Sequence, residues 1–316
     1  MVVKIAAASI NHLDSHCRKG VRTPDYYWPR GPSPLPHIPG IDGAGTVVAV
    51  GPGVTRLREG DRVVLFCTRG CGACEHCFQG NPALCRDVYI VGRDCNGTYA
   101  EFVTAREDHW VPLPESIGFE TAAAVPGIYT WAWAAVRKAG LRVGSTVLVP
   151  RVNGGVSAAV IQLAKLHGAT VFATAEMELM AQRATELGAD AVLPLEGFAA
   201  ELRERTGGRG VDAVFDHVAL DWPQLLASLR SAGTLVTWGA TGRQMPVERL
   251  EQLFYREVIV RGTSTGSSDE FREVLALVRS GRLSPIIDGK IHLSGAADAS
   301  HRAEGISSFG KILLIP

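Results

Sequence analysis

The chain lacks an excess of charge of either sign, because Lys and Arg together number 32 and Asp and Glu also number 32. Without a basic face, neither nucleic acid nor an anionic membrane is expected as the main partner. No apolar run approaches the length of a membrane span. The N-terminus, MVVKIAAASINHLD, predicts a strand and not a signal peptide. The cytoplasm is therefore the expected location.

Cysteine is sparse outside one short stretch, CGACEHCFQGNPALC, which holds four of the seven: Cys71, Cys74, Cys77 and Cys85. Four thiolates on a tight loop can fill every coordination position of one tetrahedral Zn²⁺ and leave none for water or substrate. The run therefore predicts a structural zinc in a lobe spanning residues 67–88. Two disulfides are the alternative, but they need an oxidising compartment, of which the sequence gives no sign. His76, inside the run, is expected to be a solvated loop residue.

The character of the sequence changes along the chain. Up to about Pro114, short β-type runs such as GTVVAV, DRVVLF and TYAEFVT are separated by Gly and Pro turns. They predict an irregular, mostly antiparallel β domain. From Glu120 onward, helical stretches alternate with the β-branched runs TVLVP, TVFATA, DAVLP, VDAVFDHV, TLVTWG and VIVRGT. This alternation predicts parallel βαβ units in a doubly wound α/β sheet.

A glycine-rich turn follows the first of these strands. TVLVP leads into RVNGGVS and then into the amphipathic stretch VSAAVIQLAKLHG, which predicts a helix ending at Gly168. Such a turn allows backbone N–H groups and a helix N-terminus to face a pyrophosphate. Asn153, Gly154 and Gly155 supply the close approach, while Val152 and Ser157 replace the outer glycines of G-x-G-x-x-G. Nucleotide binding and a plain tight turn are both compatible with this pattern.

The order of these features resembles the medium-chain dehydrogenase/reductase superfamily of zinc alcohol dehydrogenases and quinone oxidoreductases. The resemblance also rests on IPGIDGAGTVVAVGPGV, LREGDRVV, GTYAEFV, TAAAVPGIYTWAW and VLVPRVNGGVSAAVIQLAKLHGATV. It implies a GroES-like β domain combined with a Rossmann domain. The implied divisions are a catalytic domain over 1–122, a nucleotide-binding domain over 123–266, and a tail over 267–316 that completes the catalytic domain.

The positions that hold a second, catalytic zinc in the zinc alcohol dehydrogenases are altered. Their Cys, His and Cys ligands correspond here to Asn11, Ile41 and Pro126, and Leu13 replaces the hydroxyl residue of their proton relay. Ile and Pro cannot bind Zn²⁺ and Asn binds it poorly, so the Lewis acid is expected to be missing. The alternative is a rearranged zinc site built from His12, Asp14, His16, Cys17 and Asp42.

What remains is similar to the zinc-free quinone oxidoreductases, in which the corresponding segment begins with Asn and carries an Asp three residues later. Asn11 and Asp14 fit that pattern, and His16 stands where a tyrosine is common. The resemblance therefore assigns Asn11, Asp14 and His16 to the catalytic site. Asn11 is predicted to donate a hydrogen bond to the substrate oxygen, and His16 to deliver a proton. The structural alternative makes Asn11 a turn residue and His16 an exposed histidine.

The resemblance also implies cofactor contacts. Val156, Thr130 and the turn beginning at Gly239 are assigned to an NAD(P)H site. Glu176, just past the second strand of the nucleotide-binding domain, can accept hydrogen bonds from a ribose 2′-hydroxyl, whereas Arg151 could offset its charge. Local charge therefore favours NADH over NADPH.

Three functions are compatible with the sequence. The first is an NAD(P)H-dependent reductase of quinones or α,β-unsaturated carbonyls that carries one structural zinc. The second is an alcohol dehydrogenase with an unorthodox catalytic zinc, and the third is a non-catalytic relative that binds a nucleotide or a protein. The run VIVRGT resembles the edge strand through which relatives pair their sheets, which predicts a homodimer or homotetramer.

Overall fold

The chain divides into two compact units. A computed structural model describes residues 1–20, 33, 35–239, 250–305 and 308–316. The first unit comprises Met1–Thr130 and Thr265–Pro316, and the second comprises Trp131–Ser264. Within the described residues, no helix combines the length and the apolar composition needed to cross a bilayer.

The strands of the described chain are β1 Val2–Ser9, β2 Asp42–Ala49, β3 Arg62–Leu65, β4 Thr68–Arg69, β5 Tyr89–Ile90, β6 Phe102–Thr104, β7 Trp110–Pro112, β8 Thr146–Val149, β9 Thr170–Ala175, β10 Ala191–Pro194, β11 Val211–Asp216, β12 Leu229–Thr237, β13 Ile259–Gly262, β14 Ile287–His292 and β15 Lys311–Ile315. Its α-helices are α1 His12–Arg18, α2 Glu75–Phe78, α3 Phe119–Ala123, α4 Ile128–Ala139, α5 Gly154–Leu166, α6 Glu178–Glu186, α7 Phe198–Arg205, α8 Trp222–Ser228, α9 Glu251–Phe254, α10 Ser268–Arg279 and α11 Ala296–Glu304. Short 3₁₀ turns lie at Pro82–Leu84, Glu107–His109 and Leu293–Gly295.

The first unit is built on a largely antiparallel sheet in the order β14-β15-β1-β2-β3-β7, with β6 also paired to β1. The central strand β1 pairs with both β2 and β15, so that Ser9 stands opposite Asp42 on one side and Leu313 on the other. Gly45 faces Ile5 in this pairing, and a Cβ at Gly45 would collide with the backbone of β1. This register brings the start of β2 and the start of β15 to the end of β1.

The second unit is a parallel sheet in the order β10-β9-β8-β11-β12-β13, with helices in the connections. Each neighbouring pair in this sheet is parallel. Its buried core includes Leu148, Phe198 and Phe215. The predicted β domain, mostly antiparallel, and the predicted parallel sheet with helical connections are thus confirmed.

Helix α5 illustrates why the sequence pattern was informative. Val160 and Leu163 of the predicted apolar stripe are fully buried. The helix ends at Leu166, and Gly168 has a φ of +72°, the left-handed conformation that favours glycine after a helix. The helix predicted from the apolar spacing and its glycine end is therefore confirmed.

Candidate active site and metal centre

The four cysteines of the lobe converge between β4 and β5. Their Sγ atoms all lie within 4.8 Å of one another, and no disulfide links any cysteine of the chain. Backbone N–H groups of Cys71 and Asp87 donate to the Cys85 sulfur at 3.2 and 3.3 Å, which orients it. Among the residues that the structure describes, no other group of three or more His, Cys, Asp or Glu side chains could hold a metal ion. The cluster can accommodate one Zn²⁺ in a closed four-sulfur shell.

Gly70 allows this convergence. A Cβ at Gly70 would collide with the Cys77 sulfur and lie 2.9 Å from Cys85 Cβ. A larger residue directly before the first cysteine would therefore displace two of the sulfur ligands, a requirement that the cysteine spacing does not reveal. His76 lies outside the four-sulfur group, partly exposed and 3.6 Å from the Glu75 carboxylate.

The glycine loop of the second unit joins β8 to α5. Arg151 N–H donates to Thr174 Oγ1 at 2.7 Å, which fastens the loop to β9. Asn153 is the N-cap of α5, and Gly154 follows with a φ of +66°, which favours glycine. A Cβ at Gly154 would meet no atom within 4 Å, so the space beside the loop is open. The loop therefore presents the helix N-terminus in the way that suits an anionic group.

Ser157 stands where the dinucleotide pattern has its last glycine. Its hydroxyl donates to the Asn153 carbonyl at 3.0 Å and lies 3.4 Å from His217 Nε2. Ser157 thus links the first turn of α5 to the end of β11. Gly155 is buried in the same turn, and Val156 is half-buried. The sequence did not predict the contact of His217 with Ser157, because the pairing of strands in the sheet, and not the local sequence, brings His217 to the loop.

Gly239 lies at the same end of the sheet, just past β12. A Cβ at Gly239 would collide with the backbone of His217 at its carbonyl, so glycine is required at this close approach. The ring centroids of His217 and Trp238 are 6.0 Å apart. The remainder of the predicted turn, up to Gly242, lies outside the described residues. The loop and these strand ends share the carboxyl edge of the sheet, where doubly wound sheets bind ligands.

Glu176 and Arg151 form an ion pair at this edge. Arg151 Nη2 lies 3.1 Å from Glu176 Oε1, and both side chains are partly exposed. Arg151 adopts a φ of +48°, a left-handed conformation that is uncommon for residues other than glycine. In the described part of this edge, the cation that could attract a 2′-phosphate, Arg151, is therefore already paired with Glu176, the acidic residue that could bind a 2′-hydroxyl.

A buried polar network fills the end of β1 in the first unit. The Asp42 carboxylate, fully buried, accepts hydrogen bonds from Ser9 Oγ at 3.1 Å, Asn11 Nδ2 at 2.9 Å and Gly127 N–H at 2.9 Å. Lys311 Nζ, also buried, lies 3.1 Å from the same carboxylate. The network thus contains a buried ion pair whose charged groups have several hydrogen-bond partners.

Asn11 lies inside this network with its amide fully used. Its side-chain nitrogen donates to Asp42 and to the Ser9 carbonyl, the latter at 3.3 Å. Its side-chain oxygen accepts from Lys311 Nζ at 2.7 Å. The third Lys311 hydrogen bond goes to the Ile10 carbonyl at 2.9 Å.

Comparison with known proteins agrees with this architecture. Residues 1–115 match the alcohol dehydrogenase GroES-like domain, and residues 155–280 match the zinc-binding dehydrogenase family. The NAD-dependent alcohol dehydrogenase of Sulfolobus acidocaldarius is 30% identical over 316 residues, covering 96% of this chain and 88% of that protein. The acryloyl-coenzyme A reductase of Metallosphaera sedula is 26% identical over 318 residues, which cover 99% of this chain and 91% of that protein. A solved structure of an NAD-dependent alcohol dehydrogenase is 38% identical, with a TM-score of 0.92, and the match covers 100% of this chain and 91% of that one.

The chain belongs to the medium-chain dehydrogenase/reductase superfamily. It is accordingly an oxidoreductase of the alcohol dehydrogenase type. Its relatives include NAD-dependent enzymes, and its four-cysteine cluster could bind a structural zinc.

The catalytic roles predicted for this dehydrogenase/reductase at Asn11 and Asp14 stay predictions, and their contacts favour structural roles. Both Asn11 amide hydrogens already have acceptors, so none points to a substrate. Asp14 caps α1 by accepting from Asn11 N–H at 2.8 Å, and it accepts from Tyr99 Oη at 2.8 Å. It also accepts from Gly40 and Ile41 N–H, both at 3.2 Å.

His16 and Thr130 are placed differently from these two residues. His16 is half-buried on α1, and burial, followed by the nearby Lys19, lowers its pKa. A neutral imidazole at pH 7 is therefore expected there.

Thr130, in the first turn of α4, is fully buried, and its hydroxyl has no hydrogen-bond partner. The position assigned to the cofactor thus carries an unsatisfied hydroxyl.

Replacing Asp14 with Asn is expected to flatten the pH dependence of stability. Burial is the largest influence on Asp14 and raises its pKa from 3.8 to about 6. The folded state then binds this proton more tightly than the unfolded state, so the contribution to stability is greatest below about pH 4. It is lost as the pH rises through 6, by up to roughly 3 kcal/mol. Urea unfolding at pH 4.5 and 7.5 measures this loss, and equal pH slopes for the two proteins would contradict it.

Proposed function

We propose that this protein is an NAD(P)H-dependent oxidoreductase that reduces quinones or α,β-unsaturated carbonyl compounds without a catalytic zinc. The observation that carries the proposal is the chemistry of the three former metal positions. Ile41 and Pro126 are buried and offer no ligand atom, and the Asn11 side-chain oxygen accepts a hydrogen bond from Lys311. The side chains at these positions do not fit a catalytic Zn²⁺.

The rearranged zinc site finds no support in the described residues either. In the described residues, the four cysteines form the one group of side chains close enough together to hold a metal ion. The ligands of the alternative site are not among them: His12, Asp14, His16, Cys17 and Asp42. The Asp14 carboxylate is occupied by four donors, and Asp42 is occupied by Lys311 and its neighbours. A metal ion at these carboxylates would have to displace some of these buried hydrogen bonds.

The absence of a Lewis acid favours conjugated substrates. A hydride from reduced nicotinamide that adds to the β-carbon of an enone or to a quinone leaves a negative charge delocalised over an enolate or a hydroquinone monoanion. Hydrogen bonds alone can stabilise such a charge, whereas reduction of a simple aldehyde produces a localised alkoxide. The Metallosphaera sedula relative, named acryloyl-coenzyme A reductase, supports a conjugated acceptor. His16 remains the proposed proton donor of this chain, and because its pKa is lowered, its protonated form is the minor one at pH 7.

The test is a screen of cofactor oxidation against quinones, enals and simple aldehydes, with primary alcohols in the reverse direction. Conjugated substrates are expected to turn over and primary alcohols to react little, with no change when Zn²⁺ is added. Several relatives are named alcohol dehydrogenase, which is the competing function. Alcohol oxidation that requires added metal and is lost in His12→Ala or His16→Ala would establish that competitor. Failure to bind either cofactor would instead indicate a non-catalytic relative.

For the cofactor we propose NADH. Glu176 is close to the end of β9, and its charge would repel a 2′-phosphate, while Arg151 is already paired with it. Dissociation constants for NADH and NADPH, compared between the wild type and Glu176→Gln, test this. The wild type is expected to bind NADH more tightly than NADPH. The Glu176→Gln variant is expected to show a smaller ratio between the two dissociation constants. Tighter NADPH binding that is lost in Arg151→Ala would reverse the assignment.

We also propose that two copies pair through β13. This strand forms one edge of the described six-stranded sheet, and all four of its residues are exposed, including Ile259 and Val260. An apolar edge strand carries unpaired N–H and C=O groups that a two-fold copy can satisfy. The neighbouring Phe254 and Tyr255 are exposed as well and add apolar surface.

Light scattering at micromolar concentration is expected to give a dimer or a tetramer. Val260→Lys is expected to shift the assembly toward smaller species, because a charge at the paired edge opposes its own copy. Val143→Lys is the matched control, since Val143 is exposed in a turn away from the sheet edge. A monomeric wild type, or an equal effect of both substitutions, would contradict pairing through β13.

A further inference from the structure

Two asparagines of the chain, Asn96 and Asn153, are followed directly by glycine. In such a pair the glycine nitrogen can attack the side-chain carbonyl carbon of the asparagine, because glycine has no Cβ to obstruct the approach. A C–N bond forms, the bond to the side-chain NH₂ breaks, and the glycine N–H proton leaves with it as ammonia. Water then opens the resulting succinimide to aspartate or isoaspartate. The sequence of steps replaces a neutral amide with a carboxylate and needs no oxidant or reductant.

The pair at Asn96 is held against this reaction by its neighbours. Asn96 Oδ1 accepts a hydrogen bond from Ile38 N–H at 3.0 Å, and Gly97 N–H donates to the Ile38 carbonyl at 2.7 Å. The segment is also tightly packed, because a Cβ at Gly97 would collide with the Gly40 carbonyl oxygen. The nitrogen that would attack and the side-chain carbonyl that it would attack are therefore both fixed by the backbone of Ile38.

The pair at Asn153 has none of these restraints among the residues that the structure describes. Asn153 is the N-cap of α5, but its side chain makes no capping hydrogen bond, and both Asn153 and Gly154 are partly exposed. Gly154 is the first residue of the helix, where a backbone N–H has no carbonyl partner within the helix. A Cβ at Gly154 would meet no described atom within 4 Å. The side chain and the attacking nitrogen can therefore approach each other, with water at hand.

We propose that Asn153 is a site of spontaneous deamidation, and that the carboxylate formed there weakens cofactor binding at the glycine loop. An aspartate at this N-cap would accept hydrogen bonds from the first N–H groups of α5 and be stabilised by the helix dipole. The same N–H groups suit an anionic pyrophosphate. The new charge would thus leave the fold intact, occupy the donors and repel the ligand. The deamidation does not depend on the proposed function, whereas its effect on cofactor binding rests on it.

Incubation of the whole protein in mildly alkaline buffer, followed by peptide mapping with mass spectrometry, tests the modification. The peptide that contains Asn153 should gain the mass difference between an amide and a carboxylic acid, and the peptide that contains Asn96 should not. In urea-unfolded protein both peptides should react, because the contacts that restrain Asn96 belong to the fold. The chain thus supplies its own matched control, since each site is an asparagine followed by glycine.

Calorimetric titration with NADH on the same samples tests the effect on binding. The dissociation constant should rise as the modified fraction grows, and Asn153→Asp should raise it by about tenfold or more, because its charge lies beside a bound anion. Asn153→Asp should keep or raise the melting temperature, since aspartate is a good N-cap. Asn153→Ser is the control, because serine also caps helices and has no amide to lose. Its dissociation constant for NADH should stay the same throughout the incubation.

Three results would overturn the proposal. One is an Asn153 peptide that keeps its mass in the folded protein while it reacts in the unfolded one. Another is an equal rate at Asn96 and Asn153 in the folded protein, which would mean that the local contacts do not decide the reaction. The third is an Asn153→Asp variant that binds NADH as tightly as the wild type. If unmodified wild type bound no NADH, the proposed function would fail, and the mass measurements would still decide the deamidation.

Discussion

Cys85→Ser is expected to release the zinc and to destabilise the four-cysteine lobe. Cys85 is the buried member of the cluster, and its sulfur accepts two backbone hydrogen bonds. A serine hydroxyl is a poor ligand for Zn²⁺, and the free energy of metal binding is partly folding free energy. The free energy of unfolding should fall by an amount on the order of 4 kcal/mol, the size associated with loss of a metal site. Thermal unfolding and elemental analysis of the same samples measure both effects.

Cys95→Ser is the control for this substitution, because Cys95 is a free cysteine outside the cluster. It should retain one zinc per chain and unfold close to the wild-type temperature. Equal behaviour of the two variants would contradict a structural zinc at these cysteines. Wild-type protein that contains no zinc after purification without chelator would do so as well.

Lys311→Met is expected to cost about 3–5 kcal/mol, the range observed when one partner of a buried ion pair is removed. Lys311 and Asp42 are both buried, and the ammonium group has three oxygen partners. Without it, the Asp42 charge remains in the core without its ion-pair partner, and Asn11 loses the donor to its side-chain oxygen. Chemical denaturation gives the free energy of unfolding directly.

Lys290→Met provides the matched comparison. Lys290 pairs with Glu120 at 2.6 Å, but both side chains are about half exposed. An exposed pair contributes roughly 0–1 kcal/mol, so this variant should be nearly neutral. Adding Asp42→Asn to Lys311→Met should recover part of the loss by removing the stranded charge. Equal costs for Lys311→Met and Lys290→Met would contradict the account of the buried network.

The sequence predicted well whatever follows from local pattern. The β-branched runs became the strands β8 to β13. In largely buried interior strands such as β8 and β11, burial on both faces requires a continuous apolar run. The four cysteines converge because they occupy one short loop. The helix after the glycine turn also follows from the spacing of its own residues.

The candidate site could not be predicted in the same way, because its partners come from distant parts of the chain. Lys311 reaches Asn11 only because β15 and β1 pair in one register, and no local pattern near Asn11 indicates this. As a result, the amide predicted to bind substrate contacts both members of a buried ion pair, which the local sequence does not indicate. The unsatisfied hydroxyl of Thr130 and the contact between His217 and Ser157 likewise depend on packing between separate elements.

We propose that this chain combines a structural zinc, bound by the four cysteines of the lobe, with a reaction site that uses no metal. Zinc content and reduction of an enone by NADH, measured on one preparation that retains its bound metal, test it most directly. The account predicts one zinc per chain, and full turnover that added Zn²⁺ does not raise. Two zincs per chain, with turnover that falls in step with loss of the second, would contradict it.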